Sequence, residues 1–275
     1  IPFVGSSTIS TNLSPKSFDN WDKWRMENPV GVGKKASTPK QSTISEEMTL
    51  FREVWNWGIK EGFIRQSLKK PFDGYNLVED EEVRRQTWEL TEWNEFIKRE
   101  CDWYALEQNS EDQERVWDSF IAHQLIRICA CSGLRPKEWS LLKWKDVNLF
   151  DIENAVDEYE KLGAEITTDP STKTGQRQAY CTGGIYFQNI FQKTKFKSKN
   201  DWIFSDLEGN RLDPDWFSEI FNGEGKCNGL MDFTDQYKLT GKHLVPYCLR
   251  HFYASQSIYN GCLLYTSPSP RDPKS

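Results

Sequence analysis

Apolar side chains recur every three or four residues along several stretches of the chain, which is the spacing of helices with one buried face. The first clear case begins near Ser42, where hydroxyl residues followed by acids suit a helix start. Its apolar positions are Met48, Phe51, Val54, Trp55, Ile59 and Phe63. With a short helix at residues 17–27, this pattern predicts a helical domain that closes near Tyr75.

The same spacing returns after a polar, acidic stretch at residues 77–85, which we interpret as a linker. Helices are predicted at residues 91–104, 114–131, 213–221 and 246–260, with another that begins near Pro136, where the missing N–H of proline costs little. The helix at 114–131 is expected to be buried, and Gly133 to end it. Its apolar positions are Val116, Phe120, Ile121, Leu125, Ile126 and Ile128.

Between about residues 147 and 186 the pattern changes from helical to β-prone. Short strands are predicted at 164–168, 178–182 and 184–187, and Thr174-Gly175 suits a tight hairpin turn. The expected fold class is therefore mainly α with a small antiparallel β-sheet (α+β).

The net charge of −6 is distributed unevenly. Residues 1–75 carry a net charge of +3, residues 76–120 a net charge of −9, and the remainder carries equal numbers of acids and bases. We interpret the acidic segment as a solvated helix face and loop. An anionic partner can still bind locally basic surfaces elsewhere.

Composition argues against several classes of protein. Seven cysteines without a C-x-x-C pair indicate reduced thiols rather than a disulfide framework or zinc knuckle, and three histidines are too few for a multi-histidine metal site. No apolar run approaches the length that crosses a bilayer, and no signal peptide begins the sequence. We expect a cytoplasmic protein without a membrane partner.

Three short stretches with charged residues stand out together. They are 131–139 (Cys-Ser-Gly-Leu-Arg-Pro-Lys-Glu-Trp), 171–177 (Ser-Thr-Lys-Thr-Gly-Gln-Arg) and 247–255 (Tyr-Cys-Leu-Arg-His-Phe-Tyr-Ala-Ser). Taken alone, each is more often structural, because a charged side chain on a surface is usually solvated or paired.

Taken together and in this order, the stretches resemble the tyrosine recombinases, the family of the phage integrases. Gly133-Leu134-Arg135 with Glu138 resembles the family's first arginine box, Thr172–Gly175 its β-hairpin lysine, and Leu249-Arg250-His251 its second arginine box. The resemblance covers about residues 40–261, and its order and setting are more specific than any single motif.

The resemblance implies strand cleavage and rejoining through a 3′-phosphotyrosyl intermediate, for site-specific recombination or integration by a phage or mobile element. Arg135 and Arg250 would clamp the phosphate, since arginine binds oxygens in a bidentate way and keeps its proton. Lys173 would protonate the leaving 5′-oxygen, and Glu138 would orient the site. No cofactor or metal is expected.

The sequence departs from the family pattern at two points. Tyr247 stands where the family usually has a histidine, and a phenol can donate a hydrogen bond but is a poor proton carrier near neutral pH. His251 is expected to have a supporting, structural role at the site. No tyrosine is assigned as the nucleophile, so this chain is expected to be inactive as written, and the Pro-rich residues 262–275 are interpreted as a non-native or disordered tail.

The resemblance also implies a domain organisation and partners. Residues 1–76 would form a helical core-binding (SAM-like) DNA-binding domain, and residues 86–261 an incomplete catalytic domain after the linker 77–85. Double-stranded DNA in the host nucleoid is the expected partner. A homotetramer on DNA is expected for the full-length protein, and accessory DNA-bending proteins are possible partners.

Two other interpretations stay open at this point. One is a catalytically dead DNA-binding regulator derived from a recombinase. The other is an unrelated helical protein–protein module, which the 12 tryptophans and the acidic segment favour. A separation of Arg135 and Arg250 beyond about 12 Å would support that module, because one phosphate could not then contact both residues.

Overall fold

The computed structural model describes residues 15–18, 20–28, 38–68, 70–72, 86–153, 155, 161–173 and 175–260. The chain divides into two compact units, Ile1–Arg84 and Arg85–Ser275. The predicted linker 77–85 and the predicted tail 262–275 lie outside the described residues.

The first unit is built on two helices, α1 (Trp21–Glu27) and α2 (Gln41–Lys60), with a 3-10 turn at Pro15–Phe18. Arg25 binds both oxygens of Glu47, at 2.9 and 3.0 Å, and so ties α1 to α2. The predicted apolar face is confirmed only in part: Met48 and Trp55 are buried, whereas Val54 and Phe63 are exposed. The core consists of Phe18, Trp21, Ile44, Met48, Trp55 and Phe72.

The second unit holds the remaining helices of the described chain. They are α3 (Leu90–Glu107), α4 (Gln113–Ser132), α5 (Pro136–Ser140), α6 (Gly184–Lys193), α7 (Pro214–Asn222), α8 (Leu230–Phe233), α9 (Gln236–Thr240) and α10 (Cys248–Tyr259). The short helices α8 and α9 carry no sequence signal that we recognised.

Helix α4 lies at the centre of this unit and packs against α3, α6, α10 and the sheet. Asp112 caps its start by accepting the backbone N–H of Glu114 at 3.0 Å. Its buried side chains lie around most of its circumference, and Phe120, Ile121, Leu125, Ile126 and Ile128 are at most 4% exposed. The predicted burial of this helix is confirmed.

The sheet has three antiparallel strands in the order β1 (Val147–Asp151), β2 (Leu162–Thr167) and β3 (Gln178–Cys181). In this register Ile166 lies opposite both Val147 and Ala179. Side chains alternate between the two faces of the sheet, so Ala164 and Ile166 of β2 are buried. Glu165 and Tyr180 lie on the outer face, where the Tyr180 hydroxyl donates to the Glu165 carboxylate at 3.2 Å. The predicted fold class, mainly α with a small antiparallel sheet, is confirmed.

One predicted strand is wrong: residues 184–187 form the start of α6. A Cβ at Gly184 would lie 2.6 Å from the carbonyl oxygen of Gly163, so only glycine lets the helix begin directly against β2. Phe187 and Ile190, three residues apart, are then both buried on one helix face. Tertiary packing therefore overrides the β-propensity of this aromatic stretch.

Candidate active site

Arg135 is positioned by the junction between α4 and α5. Gly133 ends α4 in the left-handed conformation, with φ of 62°, and its N–H donates to the carbonyl of Cys129 at 3.0 Å. Pro136 then begins α5. A β-carbon on residue 133 would lie 2.3 Å from the ring of Tyr253, so the close approach of α10 also requires glycine here.

Glu138 anchors Arg135 from one turn along α5. Its carboxylate accepts the backbone N–H of Arg135 at 2.9 Å and the guanidinium of the same residue at 2.8 Å. The Glu138 side chain is 1% exposed, against 25% for Arg135. The carboxylate is thus a buried anchor, and the cation it holds reaches solvent.

Arg177, at the end of the hairpin between β2 and β3, binds the same carboxylate from the other side. Its Nη2 donates to Glu138 Oε2 at 2.6 Å and its Nε donates to Oε1 at 3.2 Å. Burial alone would raise the pKa of Glu138, but hydrogen bonds from Arg177 and Arg135 lower it to about 2. Glu138 is therefore an anion at any physiological pH.

Arg250 joins the group from α10. Its guanidinium donates to the carbonyl of Gly133, two residues before Arg135. Burial, and then the positive charges of Arg135 and Arg177, lower the pKa of Arg250. Arg135 and Arg177 thus bind one buried carboxylate, and Arg250, from a third stretch of sequence, lies close enough for its charge to interact with all three groups. The wide separation of Arg135 and Arg250 that would favour a helical protein–protein module is not observed.

Lys173 is exposed in the hairpin turn rather than buried beside the arginines. Next to it, Thr172 is 6% exposed, and its hydroxyl donates to the carbonyls of Asp169 at 2.9 Å and Gly175 at 3.0 Å. These bonds close the hairpin, although Thr174, half of the predicted turn, lies outside the described residues. Lys173 therefore projects from an ordered base formed by Thr172 and Arg177.

Tyr247 is the residue immediately before α10, and His251 lies on the first turn of that helix. Their ring centroids are 5.1 Å apart in an edge-on arrangement, and both side chains are partly buried. Tyr247 lies three residues before Arg250, so the same turn presents both.

The sequence interpretation missed Arg177. A signal for it was present, because Arg177 belongs to the same stretch as Lys173 and follows a glycine turn. A hairpin closed at Thr168, whose N–H donates to the Arg177 carbonyl at 2.9 Å, brings residue 177 back towards α5. That return depends on the register of the sheet, which the pattern of residues does not specify.

In the described part of the chain, no cluster of three or more histidine, cysteine or acidic side chains is arranged to bind a metal ion. Nor does any helix described there have the length and apolar character needed to traverse a bilayer. The chemistry available at the site is the binding of an anion by guanidinium groups.

Comparison with known proteins gives matches to solved structures. No protein-family model matches the chain, and neither does any curated protein. The Tn1549 transposon integrase in complex with circular intermediate DNA aligns with a TM-score of 0.61 and 17% identity, over 96% of this chain and 77% of that one.

A variant of the same integrase in complex with transposon right end DNA aligns with a TM-score of 0.59 and 16% identity, over 94% of this chain and 76% of the other. At these identities the likeness concerns the fold. The resemblance to tyrosine recombinases that the motifs predicted is confirmed at that level: the chain has the fold of a transposon integrase.

Proposed function

We propose that this chain is a tyrosine-type recombinase that binds duplex DNA and belongs to a site-specific recombination or integration system. The observation that carries the proposal is the group of Arg135, Arg177 and Arg250 around buried Glu138. The integrases of similar fold were solved with transposon DNA, which supports the same ligand class.

The arginine group suits a phosphodiester under attack. Charge builds on the non-bridging oxygens in the transition state, and cations held in advance lower the barrier because they need not reorganise. Arg135 and Arg250 would each donate two hydrogen bonds to these oxygens. Glu138 and Arg177 are positioning residues in this scheme: the carboxylate fixes Arg135, and Arg177 fixes the carboxylate.

Lys173 is proposed as the general acid that protonates the leaving 5′-oxygen. Its exposure in the hairpin turn lets it reach a bound strand, and the anchored base of the hairpin limits where it points. Tyr247 would donate a hydrogen bond to a phosphate oxygen, and His251 would support the phenol through the ring contact.

We assign the nucleophile to none of the tyrosines in the sequence. Among the described residues, Tyr253 packs against Gly133 and Tyr259 is 81% exposed at the end of α10. For the chain as given we therefore propose DNA binding, and we assign no residue to the attack on the strand. Tetramer formation on two DNA sites, help from DNA-bending proteins and DNA binding by the first unit belong to the same proposal.

Binding to a duplex of arbitrary sequence tests the proposal, since phosphate contacts do not depend on base sequence. Fluorescence anisotropy with the purified chain should show affinity that falls about 1000-fold between about 50 and 200 mM salt for some six phosphate contacts. Arg135→Ala and Arg250→Ala should each weaken binding about tenfold, through loss of charged hydrogen bonds. Lys98→Ala, on the exposed face of α3, is the matched control.

Binding that is absent, or indifferent to salt, would refute DNA as the ligand. Salt-sensitive binding that Arg135→Ala and Arg250→Ala leave at the level of Lys98→Ala would refute the arginine group as the phosphate site. A covalent protein–DNA adduct on a nicked duplex would show that the chain does contain a nucleophile and would contradict our decision to assign none.

A further inference from the structure

A second set of cations lies beside the hairpin and is not part of the arginine group. We name it the basic strip: Lys137, Lys143, Lys145, Lys197, Lys199 and Arg211. All are exposed except Lys143, which is half-buried. The chain as a whole has a net charge of −6, so a local concentration of cations is unexpected from composition.

Two aromatic rings, those of Trp202 and Phe191, lie against cations of the strip. The Lys143 ammonium lies 4.3 Å from the ring centroid of Trp202, and the Arg211 guanidinium lies 6.0 Å from it. Trp144 packs edge-on against Phe191 with centroids 4.9 Å apart, and the Lys197 ammonium lies 5.3 Å from the same Phe191 ring. The aromatic rings therefore hold the long cationic side chains over an ordered base.

Backbone hydrogen bonds join the two segments that carry the strip. The N–H of Lys145 donates to the carbonyl of Lys199 at 2.9 Å, and the N–H of Trp144 donates to that of Asp201 at 3.3 Å. Residues 143–145 and 197–202, distant in sequence, thus form one surface with a defined spacing of charges.

The strip is continuous with the candidate active site. Lys137 lies between Arg135 and Glu138 on α5, and its ammonium donates to the carbonyl of Ser171 in the hairpin at 3.5 Å. Hydrogen bonds from Ser171, and then the charges of Lys143 and Lys145, lower the pKa of Asp169. Three cations of the strip, Lys137, Lys143 and Lys145, therefore lie close to the hairpin that carries Lys173.

The cations of the strip are not neutralised by the protein. Across the described residues, no salt bridge involves any of them. The neighbouring carboxylates of Asp146 and Asp201 instead accept backbone N–H groups, from Lys143 at 3.0 Å and from Ser198 at 2.8 Å. Cations held close together repel one another, and an anionic ligand relieves that repulsion.

We infer that the basic strip binds the sugar–phosphate backbone of the duplex next to the phosphodiester held by the arginine group. The inference rests on the proposed function and adds the surface along which the flanking DNA lies. A set of exposed cations beside the site suits the closely spaced phosphate charges of a duplex. The partly buried Trp202 serves to orient Lys143 and Arg211.

A matched pair of double variants tests the inference. Lys145→Ala with Lys199→Ala removes two charges from the strip, and Lys98→Ala with Lys238→Ala removes two exposed charges from α3 and α9. With a long duplex, the strip variant should lower the slope of log affinity against log salt by about 1.8, at about 0.9 for each lost phosphate contact. The control variant should leave it unchanged.

Duplex length provides the second readout. On a duplex that reaches only the arginine group, the strip variant should bind like the parent chain, because the flanking phosphates are absent. Circular dichroism and thermal unfolding of each variant establish that its fold is intact.

The outcomes separate the inference from the proposed function. If the parent chain binds no duplex, the proposed function itself is refuted. If the parent binds and the strip variant matches the α3 and α9 control, the inference is wrong and the proposed function stands. If the strip variant keeps its DNA affinity but loses affinity for an acidic peptide, the strip is a protein-docking surface instead.

Discussion

At the residue scale, the ionisation of Glu138 is coupled to folding, because Arg135 and Arg177 bind its carboxylate in the folded state. A carboxyl group whose pKa drops from 4.5 to about 2 on folding contributes about 3 kcal/mol to stability above pH 4.5. The contribution is lost as the pH falls from about 4.5 towards 2, because the unfolded chain binds a proton at Glu138 in this range while the folded state does not.

We expect Glu138→Gln to reduce the free energy of unfolding of the second unit by about 3 kcal/mol at neutral pH, since two guanidiniums lose their shared anion. The difference from the parent chain should narrow as the pH falls towards 2. Urea titrations at a series of pH values measure both effects. Glu111→Gln, at an exposed position before α4, serves as control, and a difference that persists at low pH would contradict the argument.

At the scale of elements, the end of α4 combines a backbone requirement with a packing requirement. Gly133 has a positive φ, and a β-carbon there would overlap Tyr253 of α10. Gly241, at the end of α9, has the same kind of φ of 65° but nothing within 4 Å of an added β-carbon. A comparison of substitutions at the two glycines therefore separates the cost of backbone strain from the cost of the close approach between two helices.

Gly241→Ala should cost about 1 kcal/mol, the strain of a left-handed alanine. Gly133→Ala should cost at least about 2 kcal/mol more, because α10 must shift to accommodate the methyl group. The shift would also move Arg250, so the DNA affinity of Gly133→Ala should fall while that of Gly241→Ala is retained. Equal destabilisation by the two substitutions would show that Tyr253 yields without moving α10.

The order of helices and strands was largely predictable from the sequence, and the start of α6 is an exception. Helix α4 was identified because its apolar residues recur at helical spacing over a run that is too long for a strand. The start of α6 was assigned to a strand because Ile185, Tyr186 and Phe187 favour β-structure locally. Only the contact between Gly184 and Gly163, distant in sequence, decides for the helix.

At the scale of the whole molecule, the described residues contain two separate hydrophobic cores. One is centred on Trp55 and Phe72 in the first unit, and the other surrounds α4 in the second. A substitution in one core removes burial energy from that core alone, so the stability of each unit should respond to its own residues.

Met48→Ala, which truncates a side chain 2% exposed in α2, should cost the first unit about 2–5 kcal/mol. Amide hydrogen exchange should show the loss of protection in α2 and not in α4. Leu125→Ala, fully buried in α4, should give the converse pattern. Equal loss of protection in both helices after either substitution would mean that the units unfold as one.

The sequence by itself determined the helical periodicity and the fold class, because these depend on local spacing. Its resemblance to the tyrosine recombinases supplied Arg135, Glu138, Lys173 and Arg250 as candidates. The tertiary structure decided what surrounds them. Arg177 meets Glu138, and Lys145 meets Lys199, only after the hairpin register and the packing of α5 are set. Contacts between residues distant in the chain depend on that packing, which the local pattern does not specify.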